Sequence, residues 1–185
     1  MRYWWIIYIM LLGLFAMTSH GQTSKLPPLK TVAGVDLARY QGKWYEIARY
    51  PNRFQNKCAG NTTAEYSVKP NGGLQVVNEC RSTDGKTTSA TGEAKVVKGS
   101  SNAKLKVRFA PAFLSFLSMV WGDYWVIDLD SEYTYAVIGD PDRKYFWVLS
   151  RTPKIDDSTY ETILKRAESQ GFDRSKVVMT PQGLS

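Results

Sequence analysis

Apolar and polar positions alternate with a period of two through short runs at 42–50, 61–69, 74–81, 88–98, 104–109, 124–129, 134–139 and 145–151. That period puts successive side chains on opposite faces of an extended chain, so each run predicts a strand. Between runs lie Pro70-Asn71-Gly72-Gly73, Thr83-Asp84-Gly85-Lys86, Gly99-Ser100-Ser101-Asn102 and Gly139-Asp140-Pro141-Asp142-Arg143, residue types that supply the backbone angles of tight turns. Eight short strands in succession predict an all-β fold, an eight-stranded antiparallel up-and-down barrel wide enough to enclose one small ligand. One segment departs from this period. After Pro153, Tyr160, Ile163, Leu164 and Ala167 recur at helical spacing, Ser158 stands three before Glu161 as a capping box, and Gly171 ends the run. This predicts a C-terminal α-helix packed outside the barrel through its apolar stripe. Val177-Val178-Met179 predicts a last short strand at the barrel edge.

The first run, Gly42 to Tyr50, carries apolar bulk on both faces: Trp44, Glu46, Ala48 and Tyr50 on one, Tyr45, Ile47 and Arg49 on the other. A strand buried on both sides is covered outside and encloses something inside, and the helix is the expected cover. Gly42 lets the backbone bend, or a neighbour approach, just before the Trp44 ring. Glu46 shares the face of Trp44 and so points inward. A carboxylate there must be hydrogen-bonded, paired or neutralised, either as a structural group bonded to tyrosine hydroxyls or water, or as a contact for a ligand head group.

The run 104–109 separates its faces plainly. Leu105, Val107 and Phe109 form an apolar inner face, and Lys104, Lys106 and Arg108 a basic outer strip. The segment that follows, 110–121, is unusually apolar for a loop, with Phe113, Leu114, Phe116, Leu117 and Trp121. Loops normally run over the surface and are polar. Four readings stay open: a lid over the barrel mouth, a membrane-embedded loop, a contact with a second copy, and a buried local cluster. In the membrane reading the basic strip faces anionic head groups.

At 185 residues, 43% of them hydrophobic and 13% aromatic, the chain suits one folded domain plus a leader. Arg2, an apolar run over residues 3–17 and the small or polar residues after it predict a secretory signal peptide over residues 1–21. The run is shorter than the roughly 20 residues a membrane-spanning helix needs. An extended arm is expected over 22–34, the barrel domain over 35–180 and a short tail over 181–185. His20 is the one histidine and lies in or beside the leader, which removes histidine-based triads, histidine general bases and His-Glu-x-x-His zinc sites from the mature chain. Neither a phosphate-binding glycine loop nor a Cys-x-x-Cys pair is present, so no metal and no cofactor is expected. The net charge of +7 fits solubility or an anionic lipid surface better than nucleic acid in an exported protein. Cys58 and Cys80 flank the hairpin of the second and third strands, and export makes a disulfide the default. Asn61-Thr62-Thr63 has the form of a glycosylation sequon.

Gly42-Lys43-Trp44-Tyr45-Glu46-Ile47-Ala48-Arg49, followed about a hundred residues later by Trp147-Val148-Leu149-Ser150-Arg151-Thr152-Pro153, resembles the lipocalins. The likeness is to the bacterial and plant-type branch related to apolipoprotein D. Further patches in the same order are Tyr66-Ser67-Val68, Gly92-Glu93-Ala94, 105–109, Asp123-Tyr124-Trp125-Val126 and 135–139. The resemblance implies a barrel calyx with Gly42, Trp44 and Arg151 as its structural signature, the arginine packing across the tryptophan. It implies a helical turn at Val35 to Tyr40 plugging one end, with Val35 and Leu37 inward. It implies a pocket whose matching positions are Tyr66, Asn78 and Trp147, which Phe109 and Glu46 would join. The alternative is that these aromatics fill a solid core. Bacterial relatives are acylated on a cysteine at the end of the leader, and no cysteine stands there in this chain. A soluble periplasmic or secreted protein, or one at the outer-membrane surface, is therefore expected.

The function implied is reversible carriage or storage of a small amphiphilic lipid, a fatty acid or lysophospholipid, with a role in envelope maintenance and stress. A monomer or weak homodimer is expected, touching anionic membrane peripherally. Two alternatives stand beside this: a lipid-modifying enzyme using a cavity cysteine, Cys80, or Glu46, and a protein-interaction module built on the apolar loop.

Overall fold

The computed structural model describes residues 26–70 and 73–184; the expected leader, His20 and the Asn71-Gly72 pair of the first tight turn lie outside them. A short helix α1 (Leu37–Tyr40) leads into β1 (Gly42–Arg49), β2 (Cys58–Val68), β3 (Leu74–Ser82), β4 (Thr87–Val96), β5 (Lys104–Arg108), β6 (Gly122–Leu129), β7 (Tyr135–Gly139) and β8 (Phe146–Ser150). Helix α2 (Asp157–Ser169) and a two-residue strand β9 (Val178–Met179) follow. Each strand pairs antiparallel with the next, and β1 pairs with both β2 and β8, so the eight strands close into a barrel. Strand β9 adds to β1 beyond the point where β1 leaves β2.

Two cores result. Inside the lower half of the barrel, Val35, Tyr40, Trp44, Tyr66, Val76, Val126, Ile138 and Leu149 pack together. Outside, α2 lays Ile163, Leu164 and Ala167 against Ile47, Ala48, Tyr50, Val137, Phe146 and Val148. The helix starts earlier than its capping-box pattern suggests. Asp156 is the N-cap, accepting from the Thr159 amide at 2.8 Å, and the Ser158 hydroxyl donates to Asp156. Glu161 pairs instead with Arg174 at 2.6 Å.

The faces of β1 also differ from strict alternation. Glu46 stands opposite Leu149 of the inner core, whereas Ala48 stands opposite Val148 of the outer core, with a register shift between them. This β-bulge inserts one residue and reverses the parity of everything after it. Ile47, Ala48 and Tyr50 therefore lie under α2, while Trp44, Glu46 and Arg49 share the interior. Arg49, expected outside, is inside. A second shift between Val126 and Asp128 on β6 places Ile127 in the outer core and Asp128 against Arg166 of α2 at 3.1 Å.

The C-terminal residues 180–184 close the gap between β1 and β2. The Thr180 amide donates to the Ile47 carbonyl at 2.9 Å and the Asn61 amide to the Pro181 carbonyl at 2.8 Å. The Gln182 side chain donates to the Glu46 and Thr62 carbonyls at 2.8 and 3.0 Å. Gly60 is required beneath this strap, because a Cβ there would come within 2.5 Å of the Pro181 carbonyl oxygen. Both ends of the Asn61 amide are bonded to Leu184, so the nitrogen of the sequon is already engaged. On the opposite flank the described part of the N-terminal arm is pinned by Lys30 to Gln170, Arg143 to Pro27 and Val32 to Val126.

Candidate functional site

The floor of the barrel is solid. The α1 turn, capped by Asp36, carries Tyr40 beneath Trp44, with ring centroids 4.9 Å apart. The Trp44 indole donates to the Tyr40 carbonyl at 2.8 Å, and the Arg151 guanidinium lies 3.8 Å from the centre of the Trp44 ring. Arg151 also donates to the Lys43 and Arg39 carbonyls, which ties the last strand to the first. Above them the hydroxyls of Tyr40 and Tyr66 each share a hydrogen bond with that of Tyr124, at 2.8 and 2.9 Å. Burial pushes the Tyr66 phenol up to about 12 and raises Tyr40 and Tyr124 as well, so all three stay neutral. Tyr66, expected to line a pocket, forms part of this packed floor.

The upper half is open along β4. Strand β5 ends at Arg108, and β4 pairs with it only from Glu93 to Val96. Above that height β4 has no partner on its β5 side, and residues 87–91 are exposed on both faces. A barrel strand exposed on its inner side borders empty space. Asn78 faces the same space between Ala64 and Ala90, its opposite neighbours on β2 and β4. Gly92 continues this row, and a Cβ there would come within 2.8 Å of the Phe109 ring, which lies over it at the rim, 45% exposed. Trp147, inward on β8, is only partly buried and stacks on Tyr145 at 5.7 Å. Asn78, Phe109 and Trp147 thus surround the open half, while Tyr66 lies below it.

Glu46 sits on the wall in a network of its own. Its carboxylate accepts from Thr180 Oγ1 at 2.5 Å, Gln55 Nε2 at 2.6 Å and Arg49 Nη1 at 3.3 Å. Gln55 in turn accepts from the Trp147 indole at 3.0 Å and from Asn52 at 2.7 Å. None of its partners is a tyrosine. Burial raises the Glu46 carboxyl above its usual range, against the pull of Thr180, Gln55 and Arg49. The group joins β1, the loop after it and the C-terminal strap. A sequence search centred on tyrosine could not have found Thr180, 134 residues away.

At the mouth, the loop between β5 and β6 makes two 3-10 turns, Ala112–Leu114 and Ser118–Val120. Phe113, Phe116 and Met119 are 74%, 79% and 86% exposed, and Leu114 and Leu117 are half-buried. Trp121 behaves differently from its neighbours. It donates to the Ser115 carbonyl at 2.8 Å and packs on the outer wall against Lys95 and Arg108. Each residue of the expected basic strip has a partner. Arg108 is buried against Glu93 at 2.7 Å, Lys106 pairs with Asp123 at 2.8 Å, and Lys104 lies 4.0 Å over the Trp125 ring. Cys58 and Cys80 are bonded to each other, so a cavity thiol is not available for catalysis. Among the described residues no group of three histidine, cysteine, aspartate or glutamate side chains could hold a metal, and no helix is long and apolar enough to cross a membrane.

A family model for the lipocalin-like domain matches residues 35–182. Temperature-induced lipocalin-1 of Arabidopsis thaliana is 44% identical over 156 residues, 83% of this chain and 83% of its own. The outer membrane lipoprotein Blc of Escherichia coli (strain K12) is 39% identical over 163 residues, 86% of this chain and 88% of its own. Among solved structures, insecticyanin from the tobacco hornworm Manduca sexta has the same fold, with a TM-score of 0.67 at 24% identity over 86% of this chain and 87% of its own. Likeness of this degree, sustained through every strand of a closed barrel in which Arg151 covers Trp44, decides its descent: the chain belongs to the lipocalin family.

Proposed function

We propose that the open upper half of the barrel takes up the hydrocarbon part of a small amphiphile, a fatty acid or lysophospholipid, for carriage or storage outside the cytoplasm. Lipocalins are in general binding and transport proteins for small hydrophobic ligands. The observation that carries the finer reading is the division of the interior, packed up to the tyrosine hydroxyls and, along β4, exposed from Ala90 towards the rim. Each methylene buried there contributes about 0.8 kcal/mol before ordering costs. The disulfide and a relative named as an outer-membrane lipoprotein support an exported setting at a cell envelope. A relative named for temperature induction supports a link to stress. Native mass spectrometry with lipid extraction, on protein purified without detergent, tests this. One fatty acid or lysolipid per barrel is expected; an empty barrel that also refuses a fluorescent fatty acid overturns it.

The same reading gives the apolar loop a role. A segment with no charged residue between Phe109 and Trp121, displaying Phe113, Phe116 and Met119 beside the opening, suits peripheral insertion into an anionic membrane surface during lipid exchange. Because Lys104, Lys106 and Arg108 are engaged elsewhere, attachment rests on the apolar side chains. Replacing Phe113, Phe116 and Met119 together by Ser is expected to abolish co-sedimentation with anionic phospholipid vesicles while leaving the melting temperature unchanged. Undiminished co-sedimentation overturns the docking role.

A further inference from the structure

Strand β4 is paired along one side and bare along half of the other. Its ladder with β3 runs from Ala94 to Thr87 without a shift, whereas β5 meets it only from Val96 to Glu93. Both backbone groups of a strand residue point to the same side, and the side alternates along the chain. The Lys86 carbonyl accepts from the Ser82 amide at 2.8 Å on the β3 side, and the Val97 amide donates to the Lys104 carbonyl at 2.9 Å on the β5 side. Even-numbered residues of β4 therefore bond to β3, and the amides and carbonyls of Thr87, Ser89 and Thr91 face the line on which β5 would continue. Among the described residues no strand lies there. Residues 87–91 are exposed. Sheet edges are ordinarily kept from pairing by proline, lysine or a bulge, and the stretch Thr87-Thr88-Ser89-Ala90-Thr91 has none of the three. Its threonines are β-branched and favour extended pairing. Loop 110–121 borders the gap on the far side, because it joins the ends of β5 and β6, which pair up to Val107 and Gly122.

We infer that the bare edge of β4 at Thr87, Ser89 and Thr91 docks an extended polypeptide segment, which adds to the sheet as a strand in the place where β5 stops. The spacing selects the partner. A sugar or an oxyanion satisfies one or two such groups, but only another backbone offers a donor and an acceptor at every second residue over about 13 Å. With β4 on one side and loop 110–121 on the other, the gap suits a single strand and not the wall of a second barrel. Inward side chains of the added strand meet Ala90 and the Phe109 ring, which lies against Gly92, and are therefore apolar. Outward ones lie beside the Ser89 and Thr91 side chains and are polar. The partner is thus a segment of alternating apolar and polar residues, free of proline, and its docking is separate from whatever the calyx holds.

Isothermal titration and amide hydrogen exchange of the full chain with the peptide acetyl-Lys-Thr-Val-Thr-Val-Thr-Val-amide test this. Binding is expected to slow exchange at Thr87, Ser89 and Thr91 by about tenfold or more, and to leave Thr88 and Ala90, already bonded to β3, unchanged. The same peptide N-methylated at two adjacent central residues, which blocks both of its edges, is expected to bind about tenfold or more weakly. On the protein side, Ser89→Pro removes an edge donor that β3 does not use and weakens the unmodified peptide several-fold, with circular dichroism to confirm folding; should that variant fail to fold, the methylated peptide still decides. Exchange at the three amides that the peptide does not change, or equal binding of the two peptides, overturns the proposal. Slowed exchange that grows with protein concentration in the absence of peptide assigns the edge to a second copy and overturns it as well.

Discussion

Trp44→Ala is expected to destabilise the protein by about 3–5 kcal/mol, the range for emptying a fully buried large aromatic site, and to lower the melting temperature by about 10 °C or more. Trp44 is wholly inaccessible, and three losses coincide when it goes. A cavity opens between Tyr40 and the barrel wall. The Tyr40 carbonyl loses its indole donor, and an orphaned buried acceptor adds to the cost. Arg151 loses the ring beneath its guanidinium, and with it the packing that seats its bonds to the Arg39 and Lys43 carbonyls. Strands β1 and β8 and the α1 plug therefore loosen together. Urea unfolding of the variant measures this directly, and a loss below about 1 kcal/mol would mean that the floor is not held as described.

Removing the disulfide, as Cys58→Ala/Cys80→Ala, is expected to cost about 3 kcal/mol by the loop-entropy relation for a separation of 22 residues. The location makes the cost local as well. Between Cys58 and Thr63 the pairing of β2 with β3 shifts register twice, so the ladder is weakest where the bridge lies. Gly60 and Asn61, on which the C-terminal strap is seated, fall in the same stretch. Hydrogen exchange in the variant should rise first at Asn61 and Thr180, ahead of the floor strands β6 to β8. Stability unchanged after confirmed loss of the bond would show that the barrel ladder alone holds this corner.

Much of this was legible in the chain. The eight strands and the helix follow from the two hydrophobic periods, because in a meander each element pairs with its neighbour in sequence and local pattern suffices. The interior divided less cleanly. Tyr66 and Trp147 read alike as inward aromatics, yet one meets Tyr124 in the floor and the other borders the opening; only the end of β5 at Arg108 decides where packing stops. The parity of β1 is hidden because a bulge has no signature when both faces are apolar, and strict alternation puts Arg49 outside. The strap was invisible for another reason: Thr180, Gln182 and Asn61 are ordinary polar residues whose meaning lies in partners more than 120 residues away. The apolar loop stood out as an anomaly, but nothing in its composition distinguished Trp121, which turns back onto Arg108, from Phe113 and Phe116, which do not.

The central claim is that ligand enters the upper barrel, above the tyrosine hydroxyls. A shallow cleft of about 490 Å³ also lies outside the barrel, between Pro27, Pro28 and α2, and is the competing place for an amphiphile. Crystals grown with a fatty acid brominated at its tail, and located by anomalous scattering, separate the two. The account predicts a single bromine peak inside the barrel, bordered by Trp147 and Phe109 and no deeper than Tyr124. A peak beneath α2, or no ordered peak in crystals of protein shown to carry the acid, would contradict it.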